Sequence, residues 1–462
     1  MWYHKIPKSA RCVMEELNQH GHQAYLVGGC VRDLLMGREP HDWDICTSAR
    51  PKQIKECFSK YRLIETGLKH GTLTVVAEGQ SYEVTTFRID GVYRDGRHPE
   101  KVSFTSELKE DLARRDFTMN AIAMNRAGEF FDPYGGCEDI KARIIRCVGD
   151  PVKRFDEDGL RLLRAIRFSS VLDFELSPNT VDAIHNCREK LRNISVERIM
   201  MELTKLMAGE KPGEKLKDFH DILTVFWPEI IPCVGFEQRN PYHLFDIWTH
   251  TLVSVDRTDT NDFIVRLALL LHDIGKPSCF TIDEMGKGHF HGHPAVSAAM
   301  ADKMLRRLKF DTVTREEVVQ LITYHDTVII PEMKYVRRWL NRLGVQQLNR
   351  LLSVMLGDAL AHNPALLGDR VERIEKIRRL VKEIQESQMC CSVKELKLNG
   401  RDVLAAGIPQ GPEVGQILTK VLNRVLDGEL DNKREILLEE IHRISENRAE
   451  NGAAGSEETG IE

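Results

Sequence analysis

The sequence predicts an α+β protein with a strand-bearing N-terminal head and a long helical remainder. Two observations carry this. Short apolar or alternating runs at Tyr25–Val27, Gly71–Val76 and Ser81–Phe87, bounded by glycines or polar turns, all lie before Gly136. Beyond Gly136 strand signals nearly vanish, and apolar residues recur at helical spacing, as in Phe155–Phe168 with Leu160, Leu163 and Ile166. With 462 residues, the chain has room for two to four domains.

Composition bounds the function classes. A net charge of −5 means that any nucleic-acid surface must be a local basic patch. The 11 cysteines contain no CxxC pair, which argues against a zinc ribbon or a disulfide framework and fits reduced thiols. Met1–Arg11 has no apolar core of a leader, and no stretch reads as a membrane span, so a cytoplasmic location is expected.

In order, Lys8–His20 reads as a helix packed on the head sheet. The strand Tyr25–Val27 ends sharply at Gly28–Gly29, and Cys30–Met36 has helical spacing. Strand, glycine turn and helix start leave backbone N–H groups where a phosphate could sit, although a glycine pair alone also fits a plain turn. His41–Ile45 reads as a second strand with Asp42 and Asp44 on one face, opposite Trp43 and Ile45. Their backbones would lie ~7 Å apart, close enough to converge on a divalent metal pair. An exposed edge face is the bland alternative, but acids are disfavoured in strands, and these flank a tryptophan expected to be buried.

Lys52–Lys60 is helical, and Glu83 in the later strand is either a third metal carboxylate or a surface acid. Arg88–Pro99 is charged and aperiodic, as a mobile loop beside a site would be. In Leu112–Asn125, Arg114 and Arg115 suit phosphate oxygens and Asp116 a sugar hydroxyl, or the three form a surface ion-pair cluster. Asp132–Gly136 is a turn. Asp158 and Arg161, three apart, read as a helix salt bridge or as an acceptor beside a donor able to read a base edge. Cytosine and adenine both present an amino donor beside a ring acceptor; uracil and guanine present the reverse. Ser195 reads as the N-cap of a further helix.

The run GGCVRDLLMG followed by DWD resembles the signature of the polymerase-β-like nucleotidyltransferases, specifically the bacterial-type (class II) tRNA CCA-adding and poly(A) polymerase family. RRDFTMNA at 114–121 and EDGLR at 157–161 resemble that family's next two motifs. The resemblance implies a mixed or antiparallel head sheet in residues 1–136, joined by a hinge to an all-α neck, 137–240. It implies two Mg²⁺ ions on Asp42 and Asp44, with Glu83 as the third catalytic candidate. Gly28, Gly29 and Arg32 would hold the triphosphate, and Arg114, Arg115, Asp116 and Asn120 would also bind the nucleotide. Asp158 and Arg161 would select the base, with Arg164 and Arg167 beside them and Glu197 and Arg198 as braces. The implied partners are tRNA, CTP and ATP; C, C and A would be added in turn, and the 88–99 loop favours full CCA addition over a partial one.

A second constellation lies in 241–365: His250, the His272-Asp273 doublet ending an apolar helix, His293, His325 and Asp358. Buried acids need partners, and a metal would supply one. The order resembles the HD phosphohydrolases. It implies a divalent metal of unknown identity on His250, His272, Asp273 and Asp358 (preferred over Asp326), with His293 and His325 for a second ion. Hydrolysis of phosphate esters at RNA ends follows by analogy. Lys334–Arg342 and Arg370–Lys382 read as an RNA track or as solvated helix faces. A helical tRNA-binding tail is expected over 366–447 and disorder over 448–462. Rival functions are a poly(A) polymerase, an A- or CC-adding enzyme, an HD phosphohydrolase as main activity, and an RNA-binding scaffold. Alarmone synthetase–hydrolases carry their HD segment before the transferase, the opposite order. Monomer and homodimer are both open.

Overall fold

A computed structural model describes residues 2–68, 71–91 and 102–457. Helix α1 (Lys8–Gln19) is amphipathic and buries Ala10, Val13, Met14 and Leu17 against the sheet. The head continues with β1 (Ala24–Val27), α2 (Gly29–Leu35), β2 (Asp44–Thr47), α3 (Pro51–Cys57), β3 (Arg62–Gly67), β4 (Thr72–Ala77) and β5 (Gln80–Thr86). Next come β6 (Arg88–Asp90), β7 (Val102–Phe104), α4 (Leu108–Ala113), β8 (Ala123–Met124) and β9 (Phe130–Phe131). Seven strands form one mixed sheet in the order β3-β4-β5-β2-β1-β8-β9, with β2 and β5 parallel and the other pairs antiparallel.

The β3 strand is absent from the sequence reading, because its mixed RLIETG run lacks strict alternation. Of the expected Arg88–Pro99 loop, Arg88–Asp90 is strand β6, paired antiparallel with β7; residues 92–99 lie outside the described residues.

The neck begins with α5 (Gly136–Ala142), α6 (Pro151–Glu157) and α7 (Leu160–Leu172). Gly136 opens α5, and only glycine fits there, since a Cβ would stand 2.2 Å from the Thr118 carbonyl oxygen. Head, neck and body share one large core, and a second core from Cys390 to Ile441 belongs to the tail alone. Helix Arg370–Glu386 packs Ile374, Ile377, Val381 and Ile384 into the first core, so the tail's own packing starts later than the expected residue 366. The last helix runs Arg434–Glu457 through part of the stretch expected to be disordered; residues 458–462 lie outside the described ones.

No helix among the described residues is long and apolar enough to cross a membrane. All 11 cysteines are free.

Candidate functional site: an acidic cleft and a histidine cage

At the head cleft, Gly28 ends β1 with φ +80°, a conformation that costs glycine least. A Cβ there would lie 3.1 Å from Arg115 Nη1 and 3.9 Å from Asp44 Oδ2. The glycine therefore makes room for a guanidinium and a carboxylate at one point. The strand starts at Asp44, so Asp42 stands in the loop before it and the alternation expected for His41–Ile45 does not place it. Trp43 is half-buried, not buried. What draws the acids together is the sheet: Asp44 pairs in register with Glu83 across the parallel β2–β5 ladder, on the same face. Asp44 opens onto the cleft, yet enough protein surrounds it that burial first, then Glu83 and Asp42, push its carboxyl up to about 6, against the pull of Arg115.

The RRD segment follows α4. Asp111, fully buried and not singled out in the sequence, accepts from Arg114 Nε and Nη2 at 3.0 and 2.8 Å and from Arg115 Nη2 at 3.4 Å. Its helical spacing to both arginines was the available signal. Burial alone would raise the Asp111 carboxyl, but the two guanidiniums hold it below its usual range. Asp116 is not open to a sugar. Its Oδ2 accepts from Arg164 Nε and Nη2 at 3.0 and 2.6 Å, and its Oδ1 from Asn120 Nδ2 at 3.1 Å. Asn120 Oδ1 in turn accepts from Arg32 Nη1 at 2.8 Å, while Arg32 Nε donates to Asp33 at 2.9 Å. Arg32, Asn120, Asp116 and Arg164 thus form one buried chain from head to neck, which leaves Arg32 few donors for a phosphate.

The expected Asp158–Arg161 salt bridge is not made. Asp158 lies between α6 and α7, where its Oδ1 accepts from Leu160 N at 3.0 Å. Its carboxylate receives Arg198 Nη2 at 2.7 Å, as a brace would. Glu197 instead binds Lys309 at 2.6 Å, and Ser195 caps its helix without a side-chain bond. Arg161 donates to Glu157 Oε2 at 2.5 Å and to the Arg114 carbonyl oxygen at 3.0 Å. Arg154, also missed in the sequence, reaches the Ala113 carbonyl oxygen at 2.9 Å. Arg167 pairs with buried Glu202 at 2.9 Å and lies 3.5 Å from the Phe168 ring centroid. Three neck arginines therefore grip residues 113, 114 and 116, and Arg115 between them faces Gly28 and Asp44.

The second cluster is built by helix ends. Helix Phe263–Leu271 is buried almost all round and delivers His272 as its C-cap and Asp273 next. His250 comes from helix Ile247–Arg257, His293 opens helix His293–Arg307, His325 caps helix Thr312–Tyr324, and Asp358 lies in helix Met333–Leu360. Gly275 permits this packing, since a Cβ would stand 2.7 Å from Ser297 N.

Three donor groups overlap: His250, His272 and Asp273; Asp273, His293 and His325; and His250, Asp358 and His362. His250 Nε2 lies 2.9 Å from Asp358 Oδ1, His272 Nε2 3.2 Å from Asp273 Oδ2, and His293 Nε2 3.3 Å from Asp273 Oδ1. Both Asp273 oxygens and His272 Nε2 are buried without a well-directed hydrogen bond, a state that a divalent cation would relieve. His362 and Lys276 were missed, although they stand four and three residues from Asp358 and Asp273. Lys276 Nζ is 2.7 Å from Asp273 Oδ2. Burial alone would raise Asp273, but His272 and Lys276 hold it well below the usual carboxylate range.

Some arginines of the basic helices are engaged within the protein. Arg337 is buried on the Cys390 and Val425 carbonyl oxygens, Arg338 pairs with Asp427, and Arg378 with Asp259 and Glu375.

The chain is similar to known proteins over most of its length. Residues 24–146 match the family "Poly A polymerase head domain", 173–231 the family "Probable RNA and SrmB- binding site of polymerase A", and 294–441 the family "tRNA nucleotidyltransferase domain 2 putative". The CCA-adding enzyme of Geobacillus stearothermophilus is 38% identical over 426 residues, covering 92% of this chain and 93% of that protein. That of Lactobacillus delbrueckii subsp. bulgaricus is 36% identical over 432 residues, covering 92% and 95%. A crystal structure of the Bacillus stearothermophilus CCA-adding enzyme in complex with CTP superposes with a TM-score of 0.71 at 32% identity, covering 96% of this chain and 98% of that one. With the motifs in order and an acidic cleft gripped by the neck, the chain belongs to the bacterial-type CCA-adding enzyme family.

Proposed function

We propose that the protein adds CCA to the 3′ end of tRNA from CTP and ATP without a nucleic-acid template. The observation that carries this is the continuity of residues 113–116. Neck arginines hold their two ends while Arg115 meets Gly28 and Asp44, so base selection and phosphoryl transfer share one rigid segment.

In this reading Asp42, Asp44 and Glu83 hold two Mg²⁺ ions; burial first, then the neighbouring Glu83 and Asp42, raises the Asp44 carboxyl, and bound cations would lower it. When bound, such ions activate the attacking 3′-hydroxyl and neutralise the leaving pyrophosphate. Arg115 and the backbone at Gly28–Gly29 orient the triphosphate. Asp158 accepts the amino group of cytosine or adenine, and Arg161 donates to the neighbouring ring acceptor. Because Arg198 and Glu157 fix these two side chains, the base edge is read by preorganised groups. The test is incubation with tRNA lacking its 3′ end and each NTP singly or mixed, followed by sequencing of the ends. CCA termini support the reading; A tails, or CC or A alone, favour the rivals.

A second reading is favoured by the overlapping buried donor groups around Asp273: the His250, His272, Asp273 and Asp358 centre binds a divalent metal and hydrolyses phosphate esters at RNA ends. His293 and His325, sharing Asp273, would take a second ion. Metal analysis of the purified protein tests it.

A further inference from the structure

We propose that Arg370 is the anion-binding residue of the histidine–aspartate centre, and that this centre accepts a terminal phosphate rather than an internal phosphodiester. The proposal holds only if that centre is the metal-dependent phosphohydrolase suggested above. Two cavities, of about 280 and 150 Å³, meet there, and His325, Asp326, Asp358 and Arg370 line both.

Arg370 is half-buried at the first turn of helix Arg370–Glu386. On the same helix, Arg373 pairs with Asp369 and Arg378 with Asp259 and Glu375. Arg370 has no ion pair among the described residues, and Asp326, though it lines the same cavities, is not within ion-pair reach. The other cation of the larger cavity, Lys276, is held by Asp273 at 2.7 Å and Gln238 at 3.0 Å. The guanidinium free to meet an incoming anion is therefore Arg370.

A guanidinium binds phosphate best through two parallel N–H bonds to two oxygens. A terminal phosphate has three non-bridging oxygens and can give two to Arg370 while keeping one for a metal. An internal diester has two and would have to give up one contact. The larger cavity is also at the small end of ligand pockets, and Tyr242 and Phe290 offer it apolar walls. That suits one terminal nucleotide rather than a duplex backbone. In the hydrolysis a water oxygen bonds to phosphorus, the P–O bond to the ribose breaks, and a proton from the water ends on the ribose oxygen. The products are inorganic phosphate and a free hydroxyl.

The test uses the full chain as purified with its metal. Inorganic phosphate binding is measured by calorimetry, and turnover on an RNA oligonucleotide ending in a 3′-phosphate is compared with the same oligonucleotide ending in a 3′-hydroxyl. Arg370→Ala should weaken phosphate binding and raise KM for the phosphate-ended RNA roughly ten- to hundredfold. Arg370→Lys should recover part of this, since it restores charge but not the paired bonds. Metal content by mass spectrometry should match wild type in both, which separates lost binding from lost folding. Unchanged phosphate affinity in a metal-loaded Arg370→Ala protein would overturn the proposal. So would a fall in tRNA affinity with phosphate binding intact, which would make Arg370 a backbone contact. Wild-type protein carrying no metal would sink the metal centre itself, and this proposal with it.

Discussion

The head cleft and the histidine–aspartate cage are both acidic clusters suited to divalent cations, yet they are built in opposite ways. In the cleft, Asp42 and Asp44 are exposed and the donors are all oxygen, with Arg115 as the nearest counter-charge. In the cage, His250, His272 and Asp273 are almost fully buried, and imidazoles outnumber carboxylates. Exposed oxygen ligands suit a hydrated Mg²⁺ that arrives with its nucleotide; buried nitrogen and oxygen ligands suit a resident transition metal. The lesson is that burial and ligand type, more than the number of acids, distinguish the two clusters, and under the proposed reading they would separate a site that exchanges its metal from one that keeps it.

The largest expected effect breaks the cleft side of this comparison. Asp42→Ala should reduce nucleotide incorporation into tRNA at least roughly a thousandfold, measured with labelled CTP, whereas retained activity would remove Asp42 from the metal site. Next, brief chelation should abolish addition and Mg²⁺ should restore it at once, while metal measured in the cage leaves slowly. Asp273→Asn should lower the retained metal towards zero. Rapid loss of both metals together would erase the proposed distinction.

A smaller change is expected at the reader. Arg161→Ala should shift the ratio of UTP or GTP to CTP incorporation by roughly ten- to hundredfold, with tRNA binding weakened less. Equal ratios in both proteins would refute base reading by this residue.

The smallest effect is on stability. The Asp44 carboxyl, at about 6 in the folded protein against an ordinary value of 3.8, keeps its proton longer when folded. Between about pH 4 and 6 the folded state binds more protons than the unfolded one, so stability of the metal-free protein should fall as pH rises through that window. Urea midpoints of chelated wild type and Asp44→Asn measure it: the variant should lose that slope.

Much of the site was legible because the motifs are local. Gly28–Gly29 ending a strand is set by turn chemistry, and the DWD and RRD runs by neighbour spacing, which a sequence displays directly; that the second strand starts only at Asp44 was not displayed there. The same local logic failed at Asp158 and Arg161. Three residues apart suggests one helix face, but a break between α6 and α7 sends Asp158 to Arg198 and Arg161 to Glu157.

By itself, then, the sequence determined the order of head and helices, the apolar helix that carries His272 and Asp273, and the acids and arginines available for chemistry. Tertiary structure alone decided which of them meet. Glu83 joins Asp44 through parallel strand register, Asp116 is spent on Arg164 and Asn120, His362 enters the cage, and Arg337 is buried while Arg370 has no ion pair among the described residues. The physical reason is range: backbone preference and side-chain periodicity act over a few residues, whereas pairing of buried charges is fixed only when distant elements pack and exclude water.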